Sequence, residues 1–371
     1  MPKFGRRACH TGRVSYLLAF LGFAALIVLH EFGHFIAAKA VGMRVERFSL
    51  FFGPLLVKTR RGETEYGIGP IPLGGYVRIT GMNPTEEIPP EVRPRAYYNQ
   101  PVWKRVVVIL AGPAMNLLIA FAIVWALLLS NGQAVVTHRV AALQQGSPAA
   151  AALHLGDRVV SVDGVRGSTD AIRNEIDKHR CAGAQVQGCL AATPAKVVVR
   201  RDGRLLTFEL RPRYERVYGR MLLGFDFAGG QAPVGPGKAA SLTVSSLWTV
   251  TEQTVSIVAR IFEPQARKQL HGVVGGYTVT QESFATSPTL ALWVLAVISL
   301  SLAVINLFPF LPLDGGHVFW AVAEKIRGKR IPFAVMERAG AVGFVLIIIV
   351  FVIGLSNDIS TLTGPGFNPP R

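Results

Sequence analysis

His30-Glu31-Phe32-Gly33-His34 places two imidazoles four positions apart, with a carboxylate beside the first. Residues four apart share one face of a helix. His30 and His34 can therefore offer two nitrogens to one metal ion, while Glu31 stands where it can take a proton from water activated there. The chemistry open to such a set is metal-assisted hydrolysis, and the ion these ligands suit is zinc, one Zn2+ per chain. A tetrahedral site that does chemistry needs a third protein ligand and an open position. Asp314 is the best candidate, in Asn306-Leu307-Phe308-Pro309-Phe310-Leu311-Pro312-Leu313-Asp314-Gly315-Gly316-His317. Two prolines break the helix ahead of it, and two glycines after it let the backbone turn a carboxylate inward.

The pattern is short, and its setting gives it weight. Half of the 371 residues are apolar and 17% are charged, and the apolar residues are clumped. A hydrocarbon core about 30 Å thick is crossed by roughly 20 apolar helical residues. Four stretches reach that length: Val14 to Val41, Val106 to Leu129, Leu290 to Phe308 and Ile331 to Leu355. The first is too long for a signal-peptide core, and no small-residue cleavage site precedes the histidines, so it is expected to be retained. Ionisable groups inside such a span are costly and functional by default. His30 lies roughly 24 Å along the first span at 1.5 Å per residue, past the midplane if the N-terminus is outside. Asp314 follows a span running the same way, so the two can meet toward the cytoplasmic side.

The formal charge of +16 raises nucleic acid as a partner. The basic residues are scattered over span-flanking loops and the middle of the chain with no aromatic-interleaved stripe, so membrane lipids with anionic headgroups are the expected partner instead. Lys325, Arg327, Lys329 and Arg330 mark the loop between the third and fourth spans as cytoplasmic, and Lys58, Arg60, Arg61, Arg78, Arg93, Arg95, Lys104 and Arg105 mark the loop between the first two. Lys3, Arg6, Arg7 and Arg13 at the N-terminus argue the other way, and the two agreeing loops are followed.

Between the second and third spans, Gly146-Ser147-Pro148-Ala149-Ala150, Leu155-Gly156-Asp157-Arg158-Val159-Val160-Ser161-Val162-Asp163-Gly164, and strands joined at Asp202-Gly203 closely resemble a PDZ domain of the bacterial protease type. Such domains take up extended peptide ends as an added strand. Cys181 and Cys189, eight positions apart, are either a disulfide in an oxidising exterior or two free thiols. Tyr66 to Gly81 is Gly-rich with β-branched and aromatic residues and reads as a hairpin that could wall a cavity, and residues 83–101 read as a surface loop.

His30 to His34 in the first span, Gly112-Pro113-x-x-Asn116 in the second, the PDZ insert, and Asn306-x-x-Pro309 leading to Leu313-Asp314-Gly315 together resemble the site-2 protease family of intramembrane metalloproteases, in its bacterial PDZ-containing branch. The resemblance implies zinc held by His30, His34 and Asp314, with Glu31 as general base. It implies that Asn306 holds the substrate backbone or the developing oxyanion, and that Gly74, Gly75 and Tyr76 guide the substrate. It further implies regulated intramembrane proteolysis of single-span membrane proteins, such as anti-sigma factors or remnant signal peptides, after an earlier extracytoplasmic cut. The implied location is a bacterial plasma membrane. The spacing of the second proline, after Phe310 and Leu311, departs from many members and bears on local loop shape.

The expected fold is an α-helical membrane protein with four transmembrane helices, a membrane-associated β-hairpin or sheet, and an inserted β-rich α+β PDZ domain. Residues 1–42 hold the N-terminus and first span, 43–103 the cytoplasmic-side hairpin region and loop, and 104–132 the second span. Residues 133–215 form the extracytoplasmic PDZ domain, and 216–287 a linker with an amphipathic helix. The third span and aspartate loop occupy 288–327, and the fourth span and tail 328–371. Two other classes make different demands. A scaffold with a dead metal site requires a lost ligand or base, and all four groups are present. A metal transporter predicts inverted repeats, and the sequence has none apparent.

Overall fold

In the computed structural model of the protein, residues 7–82, 86–261, 263 and 272–364 are described. Lys3, Arg6, Arg371, residues 83–85 of the expected loop and 264–271 of the expected linker lie outside them. The chain forms two compact units, one of residues 1–127 with 236–371 and one of residues 128–235.

The first unit holds the long apolar helices. Among the described residues, four helices are long and apolar enough to cross a membrane: Val14–Ala40, Val102–Asn131, Pro288–Asn306 and Ala334–Thr363. The first belongs to α1 (Arg7–Ala40), which stops where Gly42 takes a left-handed φ of 81°. Gly42 N–H then donates to Lys39 O and Met43 N–H to Ala38 O, satisfying carbonyls that the helix end leaves open. Four strands follow, β1 (Val45–Phe52), β2 (Val57–Arg61), β3 (Thr64–Ile68) and β4 (Ile71–Ile79), in the order β2-β3-β1-β4. Tyr66 to Gly81 is thus strand, as expected, but not a hairpin. β1 lies between β3 and β4, parallel to the first and antiparallel to the second. A two-residue hairpin turn wants positive φ at its centre. Here Gly69 N–H donates to Leu50 O of β1 at 2.8 Å, and the chain passes to the other side of β1. This leaves β4 as an edge strand.

Ala38, Met43, Val45, Ile79, Tyr97, Val108 and Ile109 form one buried cluster that fastens the end of α1 and the sheet to α2 (Val102–Asn131). Burial pushes the Tyr97 phenol up to about 12, so it stays neutral there. The rest of this unit is helical: α4 (Pro236–Ala259), α5 (Val273–Thr286), α6 (Pro288–Asn306), α7 (Asp314–Arg327) and α8 (Phe333–Thr363). The fourth apolar helix runs past the expected Leu355 because its far end has a task. Asp358, fully buried, accepts from Gly272 N–H at 2.9 Å and Gly275 N–H at 2.8 Å, and so caps the start of α5, which packs on α1 and α6.

The second unit is a five-stranded sheet, order β11-β5-β6-β7-β8, with α3 (Thr169–Asp177). Its strands are β5 (Gln133–Leu143), β6 (Arg158–Val162), β7 (Ala195–Arg201), β8 (Arg204–Leu210) and β11 (Phe225–Ala232), and the pair β9 (Arg213–Glu215) and β10 (Arg220–Leu222) stands apart. Asp202 and Gly203 close β7 to β8 with φ of 50° and 81°, the geometry that Asp-Gly favours. The sheet continues beyond residue 215, where the sequence reading ended it. β11 pairs antiparallel with β5 from Phe225↔Leu143 to Ala232↔Gln133. Cys181 and Cys189 are joined as a disulfide. Arg201 donates to both oxygens of the buried Asp157, at 2.8 and 2.7 Å.

Two expectations follow. A Cβ at Gly343 would overlap the Leu311 carbonyl, whereas one at Gly340 meets Leu311 at an ordinary 3.7 Å. Overpacking costs about 1–3 kcal/mol against at most about 1 gained in helix propensity. Gly343→Ala is therefore expected to lower the thermal midpoint of the full chain in detergent and Gly340→Ala to leave it or raise it, read by circular dichroism. In the second unit, the Arg201 guanidinium holds the Asp157 carboxyl below the usual carboxylate range. A depressed carboxyl contributes stability that is complete above its unfolded value, about 3.9, and is lost as pH falls through the folded value. Arg201→Met should move the acid-induced onset of proteolytic cleavage within residues 128–235 to higher pH.

Candidate metal centre

Two helices approach closely enough to build the site because small residues face each other. A Cβ on Gly33 of α1 would overlap the Ala111 carbonyl of α2, and one on Gly112 of α2 would overlap Nε2 of His34. His30, Glu31 and His34 ride on α1. Asp314 opens α7, with a cis peptide at Leu311-Pro312 ahead of it and the aspartate in the first turn, where a carboxylate is favoured by the helix dipole. Further along α7, Glu324 accepts from Arg105 of α2 at 2.9 Å, both largely buried. Breaking a buried pair of this kind costs about 3–5 kcal/mol, so it fixes the direction of the helix that carries Asp314.

His30 Nε2 and His34 Nε2 are 3.3 Å apart, and Asp314 Oδ2 lies 3.3 Å from the first and 3.4 Å from the second. Ligands held at about 2.0–2.1 Å around a tetrahedral zinc lie about 3.3–3.4 Å from one another, so the triangle has the dimensions of one face of that tetrahedron. Oδ2 is buried with no hydrogen-bond partner, as an atom reserved for an ion would be. His34 Nδ1 sits 2.8 Å from the Val108 carbonyl, which can only accept. The proton is therefore on Nδ1, and Nε2 presents its lone pair to the centre of the triangle. On donor chemistry and on spacing the three groups fit zinc.

A cavity of about 510 Å³ opens on this triangle, and its lining includes His30, Glu31, His34, Gly74, Gly75, Tyr76, Asn306 and Asp314. All eight residues singled out from the sequence are thus brought together. β4 runs along the wall. A Cβ on Gly75 would stand only 3.3 Å from Glu31 Cγ, so glycine lets the strand pass the carboxylate. The Tyr76 hydroxyl instead accepts from Arg47 at 3.1 Å, and its ring stacks on Phe52. Asn306 ends α6 at the cavity.

Two polar lining residues, His317 and Asn116, were given no role from the sequence. His317 comes one turn after Asp314 on α7, and the spacing of three was the available signal. Asn116 is buried on α2 with Nδ2 3.2 Å from His30 Nδ1. It sits one turn beyond Gly112, a spacing that places both on the face toward α1.

A protein-family model described as Peptidase family M50 matches residues 18–350. The chain is 32% identical to the zinc metalloprotease Rip1 of Mycobacterium tuberculosis, over 97% of this chain and 98% of that one. It is 33% identical to Rip1 of Mycolicibacterium smegmatis, over 90% of each.

Because Gly112 has no room for a methyl group, Gly112→Ala should push the His34 imidazole off the triangle. The zinc content of the purified chain after dialysis is expected to fall at least about tenfold, with α-helix content unchanged by circular dichroism.

Proposed function

The chain belongs to peptidase family M50 and is a zinc metalloprotease, and on that footing we propose that it cuts single-span membrane proteins within the bilayer. What carries the reading is the ligand triangle standing next to Glu31 in a cavity whose wall is an unpaired strand edge.

His30, His34 and Asp314 would hold the zinc. When bound, zinc supplies Lewis acidity to water and to the scissile carbonyl. Glu31 takes the proton of the attacking water and delivers it to the departing amine. Asn306, at the cavity end of α6, donates from its amide to the substrate backbone or to the oxygen that gains charge. β4 receives the unwound segment of substrate as an added strand, with Gly74, Gly75 and Tyr76 beside the cut. Pairing there replaces hydrogen bonds that the substrate helix gives up, which apolar surroundings demand.

The 128–235 unit is read as the PDZ domain. In support, β11 is a sheet edge, and a cavity of about 490 Å³ lies along it, lined by Arg173 and Ile176 of α3 and by Leu223, Gly224 and Phe225. Its role is to bind a newly exposed peptide end or to exclude substrates with bulky outer domains. In both cases hydrolysis follows an earlier extracytoplasmic cut, and the substrate class is that of anti-sigma factors and remnant signal peptides. The chain resides in a bacterial plasma membrane among its lipids, with the metal site toward the cytoplasm and the PDZ domain outside. The basic loops carrying Lys58, Arg60 and Arg61 and Lys325 and Arg327 support that orientation.

The deciding experiment replaces Glu31 with Gln in a membrane preparation and follows cleavage of a single-span reporter, with zinc measured alongside. Zinc retained with cleavage reduced about 10²–10⁴-fold is the expected result. Retained zinc with undiminished cleavage would overturn the assignment of Glu31.

A further inference from the structure

His34 has its proton placed by the Val108 carbonyl, whereas His30 has a different neighbour. Its Nδ1 faces the side-chain amide of Asn116 at 3.2 Å, and Asn116 is 1% exposed in the interior of α2. With Nδ2 toward the imidazole, Nδ1 would have to accept. The proton would then sit on Nε2, pointing into the triangle at Asp314 and His34. Turning the amide by half a turn gives Oδ1 the Nδ1–H of His30 as donor and frees Nε2 as a lone pair. The two amide orientations occupy the same space, so hydrogen bonding decides between them.

Resting on the zinc reading above, we propose that Asn116 is a positioning residue of the metal site: its Oδ1 accepts the Nδ1–H of His30 and fixes both the tautomer and the tilt of that ligand. Val108, Gly112 and Asn116 are then successive turns of one α2 face. One supplies a carbonyl to His34, one supplies room, and one supplies an acceptor to His30. The backbone carbonyl of Asn116 is itself held by Ser299 Oγ of α6 at 2.9 Å, which steadies this turn of α2.

The test measures equilibrium zinc affinity of the full-length chain in detergent by competition with a chelator, and the visible spectrum of the cobalt-loaded form. Asn116→Leu, which removes the acceptor, should weaken zinc binding about 10–100-fold and alter the cobalt spectrum. Asn116→Asp keeps an acceptor at the same place and should bind zinc at least as tightly as the parent. Unchanged affinity in Asn116→Leu overturns the proposal. So does a tenfold loss in Asn116→Asp, since only an amide acting as donor would be missed there. Asn116→Asp decides the matter if the leucine variant does not fold. His30→Ala is run beside them: if it binds zinc as the parent does, the metal site itself fails, which is a separate outcome.

Discussion

Two imidazole nitrogens and a carboxylate oxygen, each 3.3–3.4 Å from the others, form an arrangement that apolar surroundings resist. Desolvating an ion costs several kcal/mol even after relaxation, and an isolated carboxylate among apolar spans would neutralise or turn away. A shared dication would reverse that balance, because it would supply opposite charge to the carboxylate and an acceptor for the lone pairs of the two neutral imidazoles. What the fold must provide is closeness. Glycine at 33 lets α1 meet the backbone of α2, and glycine at 112 leaves room for the His34 imidazole. The Arg105–Glu324 pair sets α7 against α2. The contact of Gly343 with Leu311 presses α8 on the loop that ends at Asp314.

The same economy explains where polar groups occur in the first unit. Asp358 is buried where two backbone N–H groups at the start of α5 need an acceptor. Asn116 and Ser299 lie where α1, α2 and α6 come together, and each has a partner that bears on the position of His30. Polar side chains in these helices therefore trace the load path from the outer spans to the ligands.

Much of this was legible in the sequence, for physical reasons that differ by element. The histidines and Glu31 declare themselves because helix periodicity is local, and Asp314 because proline and glycine mark a broken helix. Asp202-Gly203 specified its turn because few residues accept those dihedrals. What escaped depends on partners distant in the chain. Nothing within Tyr66 to Gly81 reveals that β1 lies between β3 and β4. β11, Phe225-Asp226-Phe227-Ala228-Gly229-Gly230-Gln231-Ala232, is too rich in glycine to read as a strand until β5 is set beside it. The helix beyond Leu355 escaped because the partners of Asp358 are Gly272 and Gly275, at the start of another helix.

If substrate pairs with β4 as proposed, the edge position of that strand has a consequence for selectivity. Main-chain N–H and C=O groups are common to almost every residue, so a strand edge reads little of the side chains laid along it. A partner taken up there is distinguished by how readily its backbone abandons its own hydrogen bonds. Glycine, asparagine or proline near the reacting bond would then matter more than any consensus of side chains, since such residues lower the free energy of leaving a helix. Discrimination of this kind is conformational: two segments of unlike sequence but equal helical frailty would be treated alike.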